Sequence, residues 1–181
     1  MGRFETALQL VFHAEGGLAN VPGDRGGLTK YGVTNKTYQS YRRLVSDPAL
    51  PRSVRDITVP IAADVYRRLF WDQCSAGACE LPLAVVVFDM AVNSGPETAK
   101  RYLQRALGVP EDGEIGPQTL AALHVADQKE VAFRYLDLRW GFYEAIIRRD
   151  RTQAKFRRGW LNRLEHLRQW LSGLSEWEKV T

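Results

Sequence analysis

The chain has 181 residues, enough for one good hydrophobic core or for a lobed domain with a cleft between its parts. Hydrophobic residues at 45% and charged residues at 25% are ordinary globular values, which exclude a disordered or fibrous chain. The formal net charge of +4 favours an anionic partner or serves only solubility; no Lys/Arg run exceeds two residues and no nucleic-acid-binding signature accompanies it, so no nucleic-acid partner is expected.

The N-terminus leads straight into an amphipathic pattern, without the basic, then apolar, then small-residue order of a secretory signal, so synthesis in the cytoplasm is expected. A first helix is predicted over 3–15 with Phe4, Leu8 and Val11 on one face and Gly16-Gly17 as its stop. Residues 18–34, rich in Gly, Asn, Pro and Asp, read as a small irregular hairpin, the one β region expected. Helices follow over 34–45 and 58–71, the second with a Thr cap and Pro60 in its first turn. Cys74 and Cys79 lack the His or Cys-pair context of a zinc site and are expected as free thiols, although a bridge across their short loop fits the spacing.

Residues 81–92 are apolar almost all round apart from Asp89, the mark of a central buried helix. About twelve residues fall well short of the roughly twenty that span a bilayer, so no stable membrane insertion is expected. Asn93-Ser94-Gly95 ends this helix, and Ser94 and Glu97 have capping-box spacing around Pro96. The next helix turns Ala99, Tyr102, Leu103, Ala106 and Leu107 to the core. Pro117 opens another after the turn at 111–116, and two longer helices are predicted over 128–149 and 155–172, the last carrying Trp160, Leu164, Leu167, Trp170 and Leu171. The fold class is therefore mainly α with a small β-hairpin near the N-terminus. Two regions, 1–92 and 93–181, lack an obvious linker and are expected to pack as one compact unit.

A carboxylate after an apolar stripe at a helix C-terminus is disfavoured in its ionised form by partial burial and by the negative end of the helix dipole. Glu15 stands there, four residues after Val11, and is the candidate general acid. Eight residues separate it from Asp24 and four more separate Asp24 from Thr29, within a Gly-rich segment that can fold back toward the helix end. Hydrolysis of a glycosidic bond by inversion needs an acid on one side of the sugar and a base orienting water on the other, and a hydroxyl can help to hold that water. Tyr31 is a candidate sugar-stacking ring or a residue of the hairpin's own small core. Asn93, where the most buried helix ends, is either a cleft amide for an N-acetyl group or hydroxyl, or a cap for its own helix. Trp160, Trp170 and Trp177 read as packing residues.

His13-Ala14-Glu15-Gly16-Gly17, followed by Asp24-Arg25-Gly26-Gly27-Leu28-Thr29-Lys30-Tyr31-Gly32-Val33-Thr34, resembles the signature of glycoside hydrolase family 108. The resemblance implies an N-acetylmuramidase of the phage endolysin type with a lysozyme-like helical fold. It places the catalytic Glu at Glu15, with Asp24 and Thr29 positioning or activating water. Family members often carry Asp-Pro-Gly-Gly at the hairpin where this chain has Asp24-Arg25-Gly26-Gly27, a departure that alters loop stiffness and local charge. The segments 88–96 and 112–120 are similar to the predicted peptidoglycan-binding region that follows such catalytic segments. The resemblance thus implies a monomer acting on peptidoglycan glycan strands, at the bond joining N-acetylmuramic acid to N-acetylglucosamine. No metal or organic cofactor is implied, and the site of action is the periplasmic wall after holin-mediated release. A lytic transglycosylase and a non-catalytic wall-binding or secretion-activator protein are the competing readings; the first needs no bound water, and the second needs no Glu15.

Overall fold

A helix with apolar side chains on every side is stable only where other elements cover it all round. In the computed structural model, which describes residues 2–14 and 29–177, that helix is α4 (Leu81–Ser94), and every residue from Leu83 to Ala91 is buried. Helix α1 (Arg3–Ala14) covers one side with Phe4, Ala7, Leu8 and Val11. Phe4 and Trp71 both meet Phe88 of α4 edge-on, with ring centroids 6.0 and 5.4 Å away. Helices α5 (Pro96–Leu107) and α7 (Gln128–Arg149) cover the other side, α6 (Pro117–Val125) lies on α5, and α8 (Arg157–Trp177) lies on α7. A two-stranded hairpin, β1 (Thr29–Lys30) and β2 (Val33–Thr34), leads into α2 (Asn35–Val45) and α3 (Val59–Tyr66). The fold is mainly α with one small hairpin, as the periodicity predicts, and among the described residues no helix is long and apolar enough to cross a membrane.

Three local differences from the sequence reading have clear causes. The helix predicted over 58–71 changes character after Tyr66: residues Arg67–Trp71 form a π-helical turn, closed by the Asp72 N–H on the Arg67 carbonyl at 2.9 Å. The wider turn buries Trp71 against Phe4 and Phe88 while Arg67 and Arg68 stay outside. The capping box at Ser94 and Glu97 does not form. Helix α4 runs through Ser94, and Gly95, with φ +91°, turns the chain into α5 in a single residue. Pro96 needs no N–H partner at the first helical position, and Glu97 pairs instead with Lys100 at 3.2 Å and Arg101 at 3.0 Å. The last helix starts at Arg157 rather than at 155, because Asp150 accepts the Thr152 N–H at 2.9 Å and winds residues Arg151–Phe156 as a 3-10 helix first.

Buried polar side chains tie the helices at defined points. The Gln128 amide accepts the Glu80 N–H at 2.7 Å and donates to the Leu123 carbonyl at 3.0 Å, joining the start of α4 to the end of α6. Gln104, 1% exposed, donates to Asp112 Oδ1 at 2.6 Å and to the Glu114 carbonyl at 3.0 Å, and accepts the Gly113 N–H at 2.8 Å. It thereby shapes the turn whose Gly113 sits at φ +82° before Pro117 opens α6.

The deepest polar cluster is ionic. Asp89 on α4 accepts from Arg139 of α7 and, in two directions, from Arg163 of α8, whose Nε lies 2.9 and 3.0 Å from the two carboxylate oxygens. Asp89 and Arg139 are both fully buried. Burial alone would raise the Asp89 carboxyl; the Arg139 and Arg163 charges and their hydrogen bonds more than offset that and hold it below its ordinary value. Removing the acid from such a cluster leaves two arginines without their counter-charge. Asp89→Asn is therefore expected to lower unfolding stability by about 3–5 kcal/mol in urea titrations. The carboxyl's folded pKa lies below the unfolded value of 3.8, so its contribution is complete above that pH and lost as pH falls through the folded value. The wild type should accordingly lose stability below about pH 4 more steeply than the variant.

Cys74 and Cys79 are buried free thiols, each pushed up to about 12 by burial. Neither should react with a disulfide reagent at neutral pH until the protein unfolds, and both should react in denaturant.

Candidate active site

The hairpin is built around a two-residue turn. Thr29 pairs with Thr34 and Lys30 with Val33, leaving Tyr31 and Gly32 at the tip with φ of +52° and +74°. Two successive residues with positive φ make the turn whose twist matches a tight antiparallel pair. Gly32 adopts that conformation freely, whereas Tyr31 is held in a region that side chains avoid. The surroundings impose it: Tyr66 of α3 donates its hydroxyl to the Tyr31 carbonyl at 3.4 Å, and Lys30 donates to the Arg55 carbonyl at 2.7 Å. Lys30 also stands 5.3 Å from the centre of the Tyr31 ring. Thr34 then caps α2, its hydroxyl accepting the Thr37 N–H at 3.1 Å.

Of the residues singled out from sequence, Thr29 lies exposed on β1, and Tyr31 is half-buried at the turn, packed against the core. Asn93 is exposed on the last turn of α4 and donates from its side chain to the Asp89 carbonyl at 2.8 Å. That bond satisfies the side chain within its own helix, whose C-cap is Gly95 and not Asn93, and it lies one turn beyond the buried ion cluster. Glu15 and Asp24 lie outside the described residues, as does residue 28 before β1.

A cavity of about 120 Å³ lies between hairpin and α4, lined by Gly32, Val33, Thr34, Thr37, Tyr66, Phe70 and Val92. It joins the turn that carries Tyr31 to the residue preceding Asn93. Small-molecule pockets run to roughly 300–1,000 Å³, so this cavity does not by itself enclose a sugar. Thr37, Tyr66 and Phe70 are contributors that sequence reasoning does not single out, because nothing local marks Tyr66 and Phe70 as facing a hairpin more than thirty positions earlier. Among the described residues no three His, Cys, Asp or Glu side chains gather as metal ligands do.

Residues 8–95 match the family model Glycosyl hydrolase 108, a span that holds the later part of α1, the hairpin and α4, and residues 98–165 match the model Predicted Peptidoglycan domain. The chain belongs to glycosyl hydrolase family 108. It is accordingly a glycoside hydrolase that acts on peptidoglycan. The solved structure of Brucella abortus SagA is similar, with 28% sequence identity and a TM-score of 0.75 over 94% of either chain. No curated protein shows a significant match. In this family member the first matched span ends at Gly95, the residue that turns α4 into α5, and the second begins in the first turn of α5.

A Cβ at Gly32 would stand 2.5 Å from the Tyr66 hydroxyl, in a backbone conformation that alanine resists. Gly32→Ala should lower stability by about 1–3 kcal/mol and reduce peptidoglycan release at temperatures where the variant remains folded, because the strand carrying Thr29 shifts with the turn. Thermal unfolding and a turbidity assay on purified walls measure the two effects.

Proposed function

We propose that this glycosyl hydrolase is an N-acetylmuramidase that cuts the β-1,4 bond between N-acetylmuramic acid and N-acetylglucosamine, with Glu15 as general acid. The observation that carries the reading is the family match over 8–95, which encloses Glu15, Asp24 and Thr29 together with a hairpin held in a strained turn. Glu15 protonates the glycosidic oxygen as the bond to the anomeric carbon breaks. Asp24 acts as base or electrostatic support on the opposite face, and a water held with help from Thr29 attacks the anomeric carbon. Tyr31 offers its ring to the apolar face of a sugar, and Asn93 offers its amide to an N-acetyl group or hydroxyl at the end of α4.

In this reading residues 1–92 carry the chemistry and 93–181 hold the glycan strand, the two packed as one unit. The protein acts as a monomer and as an endolysin, made in the cytoplasm and delivered to the wall through a holin. The retention of Glu15, Asp24 and Thr29 together supports hydrolysis over ring closure, because a transglycosylase holds no nucleophilic water.

Mass spectrometry of the soluble products from purified peptidoglycan, with wild type and Glu15→Gln side by side, tests the assignment. Reducing-end muropeptides from wild type alone are expected, with the variant's circular dichroism unchanged. Anhydro products would make the protein a transglycosylase, and no release by either form would favour a binding module. Asp24→Asn is expected to be severely impaired, and full activity in it would remove Asp24 from the mechanism.

A further inference from the structure

The chain's positive charge is gathered at one corner. Between Arg148 and Arg158 stand six basic residues, Arg148, Arg149, Arg151, Lys155, Arg157 and Arg158, against the single acid Asp150, a net of +5 where the whole chain carries +4. The remaining residues are thus net negative by one. In sequence the basic residues never run longer than two, but the end of α7, the 3-10 turn and the start of α8 bring all six to the same exposed bend. Asp150 is engaged locally, accepting from the Thr152 hydroxyl at 2.7 Å and from Gln153 at 3.1 Å, and Arg157 pairs with Glu144 at 2.8 Å.

An apolar side chain stands among these cations: Phe156 is 47% exposed. Phe156 is not loose: its ring lies 5.9 Å from that of Trp160, which stacks on Tyr143 of α7 at 4.6 Å and 11°. Lys155 Nζ is 5.0 Å from the Phe156 ring centre. The corner therefore presents a half-exposed aromatic ring, seated on Trp160, beside a cluster of cations. Apart from the Arg157–Glu144 pair, like charges this close repel one another, and their arrangement suits an anionic surface. A dissolved polyanion would satisfy the cations and leave the Phe156 ring in water. A bilayer satisfies both, with anionic headgroups meeting the Arg and Lys side chains and the acyl boundary receiving the Phe156 ring.

We propose that the bend joining α7 to α8 docks peripherally on a bilayer surface rich in anionic phospholipid. Helices α4 and α7 run parallel, since Gln128 meets Glu80 and Arg139 meets Asp89. At 1.5 Å per residue the ten residues from Arg139 to Arg149 carry the corner about 15 Å beyond the level of Asp89, at the end of the molecule where α4 presents Asn93. Docking there is independent of which glycosidic bond is cut.

The test is co-sedimentation of the full chain at low salt with vesicles of phosphatidylcholine alone and of phosphatidylcholine with phosphatidylglycerol. Binding is expected only to the anionic vesicles and should weaken as salt rises. The triple variant Arg151→Glu, Lys155→Glu, Arg158→Glu changes only exposed side chains, and it should partition roughly a hundredfold less with an unchanged circular dichroism spectrum. Phe156→Ser should weaken vesicle binding but leave binding to soluble polyphosphate as it is. Equal sedimentation with both vesicle types, no sedimentation with either, or a triple variant that sediments like wild type would each overturn the proposal. Vesicle binding insensitive to Phe156→Ser would overturn it as well, in favour of a dissolved polyanion.

Discussion

The rest of the architecture depends on one carboxylate. Apolar contact draws helices together but does not by itself fix their register, because it is non-directional. Asp89, alone in an otherwise apolar run, supplies direction: it needs counter-charge in the one environment where no water provides it. Arg139 reaches it from α7 and Arg163 from α8, and Arg139 donates onward to the Tyr143 hydroxyl at 2.8 Å. Tyr143 in turn is stacked on Trp160. Three helices are thus placed around a single side chain. Slipping any of them by one residue would strand a buried charge, at a cost of several kcal/mol.

The same logic recurs with neutral groups. Gln128 and Gln104 are buried amides that meet backbone groups at a helix start and at a turn, where the helix's own ladder leaves partners wanting. Tyr135 does likewise, giving its hydroxyl to the Ala99 carbonyl at 3.1 Å inside the core. Each joint is local, but together they hold α4, α5, α6 and α7 against one another without a disulfide or long loop between them.

That arrangement bears on how the two matched spans relate. Asp89 belongs to the Glycosyl hydrolase 108 span, and Arg139 and Arg163 belong to the Predicted Peptidoglycan span. Each span therefore buries an ionic group that only the other can neutralise, and α4 lies in the core of both. Asn93 sits one turn past this junction, and the cavity under the hairpin touches the same helix end through Val92. Whatever binds beside the hairpin is consequently supported by packing that comes from the second half of the chain.

Helical periodicity, capping residues and the Gly- and Pro-marked stops were legible without coordinates, because they are set by backbone geometry within a few residues. The eight described helices follow from them almost entirely. The family was legible too, through Glu15-Gly16-Gly17 and the Asp24 to Thr34 segment, since those residues are contiguous. The exceptions share a cause. The π turn at Arg67–Trp71 exists to seat Trp71 between Phe4 and Phe88, the single-residue turn at Gly95 to lay α5 along α4, and the partners of Asp89 lie 50 and 74 positions away. The basic corner, by contrast, is a cluster local in sequence, between Arg148 and Arg158, to which the bend from α7 to α8 adds only the exposure of all six side chains. The sequence by itself determined the helices, the hairpin and the kind of chemistry, because those depend on neighbours along the chain. Only the tertiary structure decided which charges meet in the core and which side chains line the cavity beside the hairpin, because those depend on neighbours in space.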